Sequence, residues 1–123
     1  MVAKLIAGDR AGAEVLLKGL APLFGLVTVK TIEVTPCGEA VCRARNPLAI
    51  KTLMRLLGMP SGPCRQPLGK MTRNGLDEVL AIARRVWTDH PEILKPIGDC
   101  FDIDIAERLD NPEYQVGLYY EDY

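Results

Sequence analysis

Residues 46–68 read NPLAIKTLMRLLGMPSGPCRQPL, a helix-start signal followed by an apolar stripe and a Gly- and Pro-rich exit. Asn46 is a favourable helix cap, and Pro47 fits the first turn because the N–H group that proline lacks has no partner there. The apolar face of this helix consists of Leu48, Leu53, Leu56 and Leu57. Gly58 stands where a left-handed residue ends a helix. The sequence therefore predicts a short helix followed by a rigid, extended connection through Pro67.

The residues before this segment predict one helix and one hairpin. Apolar residues at helical spacing indicate a helix up to about Leu20, with a break and a cap at Gly8-Asp9, and Pro22 is expected to stop or kink it. β-Branched residues then favour a short β-hairpin near residues 26–43. A bulge or two short segments are expected, because the apolar residues change face: Val27 and Val29 on one side, Ile32 and Val34 on the other.

The residues after this segment predict two further helices and a docked tail. The clearest apolar stripe consists of Leu76, Val79, Leu80, Ala83, Val86 and Trp87. Thr72 or Asn74 is the expected cap of this helix. A second helix is expected over residues 91–101, short or bent because it contains proline and glycine. Residues 111–123 carry four tyrosines among acidic residues, and we expect them to dock on this chain or on a neighbour.

Length and composition limit the fold class. A chain of 123 residues with 48% hydrophobic and 25% charged residues is typical of one globular domain. We therefore expect residues 1–123 to form a single, mainly α domain, a small helical bundle with the hairpin as its β structure. A complete α/β barrel takes about 250 residues, so no intact barrel fits in this length.

Charge and hydropathy argue against two classes of partner. Fifteen basic and sixteen acidic residues give a net charge of −1, which provides no general positive field for nucleic acid or anionic lipid. The apolar runs are short, and the N-terminus has no signal-peptide pattern, so we expect no membrane segment and a cytoplasmic location. The tight basic pairs at residues 43–45 and 84–85 lack interleaved aromatics, which favours solvated faces.

Neither cysteine spacing nor acidic clustering predicts a metal site or a cofactor. The four cysteines are Cys37, Cys42, Cys64 and Cys100. They form no Cys-x-x-Cys pair and have only His90 as a histidine companion, which argues against zinc. We expect reduced, mostly buried thiols, with a Cys37–Cys42 disulfide as the alternative. The acidic residues 99–107 lack the ligand order of a calcium loop and favour a charged surface turn.

The Asn-Pro-x-x-x-Lys start, the Leu-Gly turn and the Gly-Pro-x-Arg-x-Pro-Leu exit of residues 46–68 resemble the segment after the barrel in the dihydrodipicolinate synthase and N-acetylneuraminate lyase family. The matched structural positions are Asn46, Pro47, Lys51, Gly58, Gly62, Pro63, Arg65 and Pro67. Residues 7–24 are similar to the end of the family's last barrel-associated helix, and residues 74–87 to its closing helix. The resemblance implies the C-terminal extension of a TIM-barrel aldolase without the barrel.

The resemblance also implies where the chemistry lies. In that family a lysine on a barrel strand forms a Schiff base with pyruvate or a related 2-oxo acid, and a tyrosine on another strand relays protons. Both precede the region that this chain resembles, so we assign it no catalytic, cofactor-binding or metal-binding residue.

Three features have the composition of a site, but their context favours a structural role. Lys51 matches a non-catalytic position and is expected to be solvated or salt-bridged. His90 is expected at a surface or a helix cap rather than as a general base. The Gly- and Pro-rich residues 58–69, with Lys70 next to them, match neither Walker nor dinucleotide spacing, so an ordered connection is favoured over an anion cradle.

We therefore interpret the chain as the assembly-supporting, C-terminal portion of a pyruvate-type class I aldolase or lyase, a portion that is catalytically incomplete alone. The expected partner is a second copy or a separately encoded barrel, because the apolar faces around Leu16, Leu53 and Leu80 would be only partly covered. Two departures from the family pattern, the longer segment 27–45 and the residues beyond Pro91, suggest a divergent branch of unknown substrate. The chain is alternatively a free-standing interaction or regulatory module derived from the family, or one piece of a split enzyme.

Overall fold

The structure, a computed structural model, describes residues 1–122 and is mainly helical. Its elements are α1 (Val2–Ile6), α2 (Arg10–Phe24), β1 (Thr28–Thr35), β2 (Gly38–Arg45), α3 (Leu48–Leu56), α4 (Arg73–Asp89), α5 (Pro91–Phe101) and α6 (Ile105–Asp110). Short 3-10 turns occupy Gly25–Val27 and Pro112–Gln115. The predicted helical fold with one hairpin is confirmed, and residues 1–122 contain no barrel.

Helices α1 and α2 meet at the predicted break. Gly8 has a φ of 79°, and the Asp9 carboxylate caps α2 by accepting a hydrogen bond from the Gly12 N–H at 2.8 Å. The expected end of the helix near Leu20 is wrong, because α2 continues to Phe24. Pro22 lies in the last turn, where its missing N–H removes only one hydrogen bond before the helix ends.

The hairpin is confirmed, but its strands pair without a bulge. The register is continuous from Thr28 opposite Arg45 to Thr35 opposite Gly38. The expected bulge rested on Val27, which instead belongs to the 3-10 turn before β1. Within β1 the strict alternation places Val29 and Glu33 inside and leaves the apolar residues Ile32 and Val34 outside.

The buried Glu33 joins the hairpin to the start of α4. The Thr31 hydroxyl donates a hydrogen bond to one carboxylate oxygen at 2.7 Å, and the Asn74 amide donates to the other at 2.8 Å. Thr72 caps α4 by accepting from the Gly75 N–H at 3.1 Å, which confirms one of the two predicted caps. These hydrogen bonds satisfy a carboxylate that would otherwise be costly to bury.

Helix α3 has the predicted apolar face but a different start. Leu48 is its first residue, and Pro47 occupies the N-cap position without a side-chain acceptor, so the prediction that Asn46 caps the helix is wrong. Asn46 still belongs to the turn after β2. The four predicted leucines of this helix are all buried. Gly58, with a φ of 72°, follows the helix in the left-handed conformation, as expected.

Helix α4 lies at the centre of the fold, in contact with α2, α3, α5, α6 and β1. Its predicted stripe is buried apart from Trp87, which is half-buried. Leu53 of α3 is 7% exposed and Leu80 of α4 is 2% exposed. The expectation that the faces around these two residues need a partner is therefore wrong, because the chain's own helices cover them.

The last elements form a capped helix and a docked tail. Helix α6 was expected to be a charged turn, but the Asp104 carboxylate accepts the Glu107 N–H at 3.0 Å and starts a helix there. The tail docks on this chain, since the Met71 N–H donates to the Leu118 carbonyl and the Tyr120 N–H donates to the Met71 carbonyl. Tyr123, which was included in the tail prediction, lies outside the described residues.

Candidate functional site

The residues of the motif segment form one wall of a cleft of about 330 Å³. Helix α3, the connection after it and the tail surround this cleft. Its polar lining consists of Lys51, Thr52, Arg55, Cys64, Gln66, Lys70 and Tyr120. Leu48 and Leu118 form the apolar part of the wall. The tail, whose position the sequence did not predict, therefore closes a cleft that the motif segment begins.

Hydrogen bonds hold the connection against α3. The Lys51 ammonium group donates to the Pro63 carbonyl at 3.3 Å, and the Ser61 hydroxyl donates to the Lys51 carbonyl at 3.1 Å. On the opposite wall, Gly69 has a φ of 61°, and a Cβ there would collide with the Tyr120 hydroxyl. Only glycine therefore permits the connection and the tail to approach so closely.

The structure brings together only part of the predicted motif. Lys51, Gly62 and Pro63 line the cleft. The other motif residues lie at exposed positions outside it: Asn46, Pro47, Gly58, Arg65 and Pro67. Gly58 instead faces the Arg108 guanidinium, which would be 3.0 Å from a Cβ at this position.

The two candidate catalytic residues, Lys51 and His90, do not lie in one site, because only Lys51 lines the cleft. Lys51 is half-buried, and its ammonium group donates to the Pro63 carbonyl at 3.3 Å. His90 precedes α5, where its Nδ1 atom is 3.2 Å from Glu92 and its ring packs on Gly19 of α2. Neither arrangement supplies the desolvated amine or the base and nucleophile pair that covalent catalysis requires.

A second candidate surface lies on α1 and α2 and is apolar. Leu17 and Phe24 stand seven residues apart on one side of α2 and are 46% and 58% exposed. Next to Leu17, residues of both helices line a shallow groove of about 190 Å³: Met1, Leu5, Arg10, Ala13 and Glu14. We call this surface the α1–α2 face.

Polar contacts fix α1 beside α2 and so shape the α1–α2 face. The Lys4 ammonium group is 2.8 Å from the Asp9 carboxylate. The hydrogen bond from Lys4 and the second one from the Gly12 N–H hold the pKa of Asp9 below its ordinary value.

The outer face of the hairpin is also apolar. Ile32 and Val41 are paired across the strands and are 59% and 65% exposed, and Val34 is 80% exposed. Exposed apolar patches of this kind commonly mark contacts with other molecules.

Other classes of site find no support in the described residues. Residues 1–122 contain no group of three or more His, Cys, Asp or Glu side chains arranged to hold a metal ion. No helix within that range is long and apolar enough to cross a membrane. All four cysteines are free, but none is fully buried, and Cys37 and Cys100 are exposed, so the expectation of buried thiols is wrong.

These features define a small helical domain that carries exposed apolar faces on α1–α2 and on the hairpin, and a polar cleft beside α3. Over 81 residues, or 66% of the chain, the sequence is 35% identical to the 4-hydroxy-tetrahydrodipicolinate synthase of Moorella thermoacetica. The match spans 23% of the length of that enzyme. The similarity supports a relationship to the dihydrodipicolinate synthases. No family model matches the chain, and no solved structure matches it.

Proposed function

We propose that this chain is the C-terminal, assembly-supporting portion of a dihydrodipicolinate synthase-like aldolase or lyase. The α1–α2 face packs against the barrel of that enzyme, which is carried on the same polypeptide or on a separate one. The similarity over 81 residues supports the relationship, and most of the relative's length lies outside the match. The eight motif positions then serve structure rather than chemistry.

The exposed α1–α2 face is the observation that carries this proposal. Residues 7–24 resemble the last barrel-associated helix of the family, which would pack on a barrel. The helix they form exposes Leu17 and Phe24 to solvent, as expected for a helix whose partner is another element. Arg10 and Glu14 beside the groove have opposite charges, so the charges at the edge of the face sum to zero.

The chain is catalytically incomplete in this proposal. A Schiff-base lysine must be desolvated or placed beside another cation to be neutral at working pH, and an enclosing barrel provides that setting. The only sheet within residues 1–122 has two strands.

The double variant Leu17→Glu, Phe24→Glu is expected to abolish self-association of the isolated chain. In the absence of a barrel, the apolar α1–α2 faces of two copies should associate. The two carboxylates of the variant prevent this association, because charged groups are costly to bury. Size-exclusion chromatography with light scattering measures the mass at increasing concentration. We expect a concentration-dependent rise for the unchanged chain and a constant monomer mass for the variant.

The matched control is Val15→Glu, Val116→Glu, which adds the same charge at exposed positions away from Leu17 and Phe24. It should associate like the unchanged chain. An unchanged chain that is monomeric at every concentration would contradict the proposal.

The hairpin favours a second candidate function, that of a free-standing interaction or regulatory module. Its apolar outer face lies within the segment that is longer than in the family. The tyrosine tail is a weaker recognition surface than expected, because Tyr119 is held under the Arg73 guanidinium at 4.9 Å. In the same scattering experiment this alternative predicts that Ile32→Glu, Val34→Glu abolishes association and that the α2 variant does not.

A further inference from the structure

We propose that the cleft between α3, the connection and the tail binds a small anion, a metabolite that carries a phosphate or carboxylate group. Lys51, Arg55 and Lys70 line the cleft, and no Asp or Glu lines it among the described residues. The chain as a whole is slightly acidic, so this local excess of positive charge departs from its overall balance.

No acidic group among residues 1–122 forms an ion pair with Lys51, Arg55 or Lys70. The ion pairs of residues 1–122 use Lys4, Arg73, Arg84, Arg85, His90 and Lys95. Lys51 makes one hydrogen bond, to the Pro63 carbonyl, which leaves two of its three N–H donors available. Charge-assisted hydrogen bonds from such donors to an anion are stronger than hydrogen bonds between neutral groups.

Neutral donors add to the same wall. Tyr120 lines the cleft and is 38% exposed, so its hydroxyl is a potential donor there. Gln66 contributes an amide to the same cleft. A guanidinium, two ammonium groups, a hydroxyl and an amide are the donor types that bind phosphate and carboxylate oxygens in proteins.

The size of the cleft selects a small ligand. Its volume of about 330 Å³ is at the lower end of the range of small-molecule sites, roughly 300–1,000 Å³. The apolar side chains of Leu48 and Leu118 lie beside the cations and would contact the carbon skeleton of an organic anion. A metabolite with one compact anionic group fits both features.

The test is an NMR titration of the full chain with inorganic phosphate and, separately, with succinate. We expect saturable shifts in the signals of residues 48–70 and 117–120, weakened by added salt because exposed charges are screened. Phosphate binding alone identifies a phosphorylated ligand, and succinate binding alone identifies a carboxylate. Saturation by neither probe would overturn the proposal.

Three single variants locate the binding. Lys70→Gln and Arg55→Gln each remove one charge of the cleft and should weaken binding about fivefold. Lys18→Gln removes the same charge from an exposed position on α2 outside the cleft and should leave the affinity unchanged. Equal weakening in all three variants would also overturn the proposal. Because the α1–α2 face is a separate surface, loss of docking and loss of anion binding are distinguishable.

Discussion

Replacing Leu76 with Ala is expected to lower the free energy of unfolding by about 3 kcal/mol, because it leaves a cavity in the centre of the core. Leu76 is 0% exposed and lies on α4, the helix that contacts most other elements. Since domains of this size are stable by only about 5–15 kcal/mol, the loss is a large fraction of the total. Urea unfolding monitored by circular dichroism measures it.

Leu17→Ala is the matched control for this core variant. It removes the same atoms from a side chain that is 46% exposed, so we expect a loss below about 1 kcal/mol in the isolated chain. Equal losses in the two variants would contradict the assignment of α4 to the core and of Leu17 to the surface.

Replacing Arg108 with Met is expected to lower the free energy of unfolding by about 2 kcal/mol, because it removes the side-chain donor of the Leu56 carbonyl at the end of α3 and leaves the Arg55 carbonyl with only the Gly58 N–H. The Arg108 guanidinium donates to the Leu56 carbonyl at 2.7 Å and to the Arg55 carbonyl at 3.2 Å. It also lies 4.0 Å from the centre of the Tyr114 ring. One side chain of α6 therefore joins α3 to the tail.

Arg85→Met is the control for Arg108. Arg85 is 74% exposed and forms one ion pair with Asp89, a kind of interaction that contributes little to stability. We expect a change below about 0.5 kcal/mol in the same urea measurement. A loss at Arg108 no larger than that at Arg85 would contradict its role as the cap of α3.

The elements that depend on local pattern were predictable from the sequence. The stripe of α4 repeats over three turns, and this local pattern suffices to predict both the helix and the side that faces the core. The β-branched residues predicted the hairpin, but they did not predict which of its side chains point into the core. The carboxylate of Glu33 occupies an inward position because Asn74, more than forty residues away, donates to it, and no local rule detects that partner.

The candidate sites depend on contacts between distant segments, and the sequence predicted them less well. Lys51 and the Gly-Pro segment were recognised as a motif, but the cleft also needs Tyr120 and Leu118 from the tail. Arg108 gave no signal, since an arginine in an acidic stretch is typical of a solvated surface. The apolar α1–α2 face was expected around Leu16, whereas Leu17 and Phe24 carry the exposed surface.

Trapping with pyruvate and borohydride tests most directly whether catalysis lies outside these residues, because reduction fixes a Schiff base on the lysine that formed it. The native polypeptide or complex, purified through a tag, is treated and mapped by peptide mass spectrometry. We expect an adduct on a lysine of the barrel portion and none on the six lysines of this chain. An adduct on one of these six, together with turnover of a 2-oxo acid by the chain alone, would contradict the proposal.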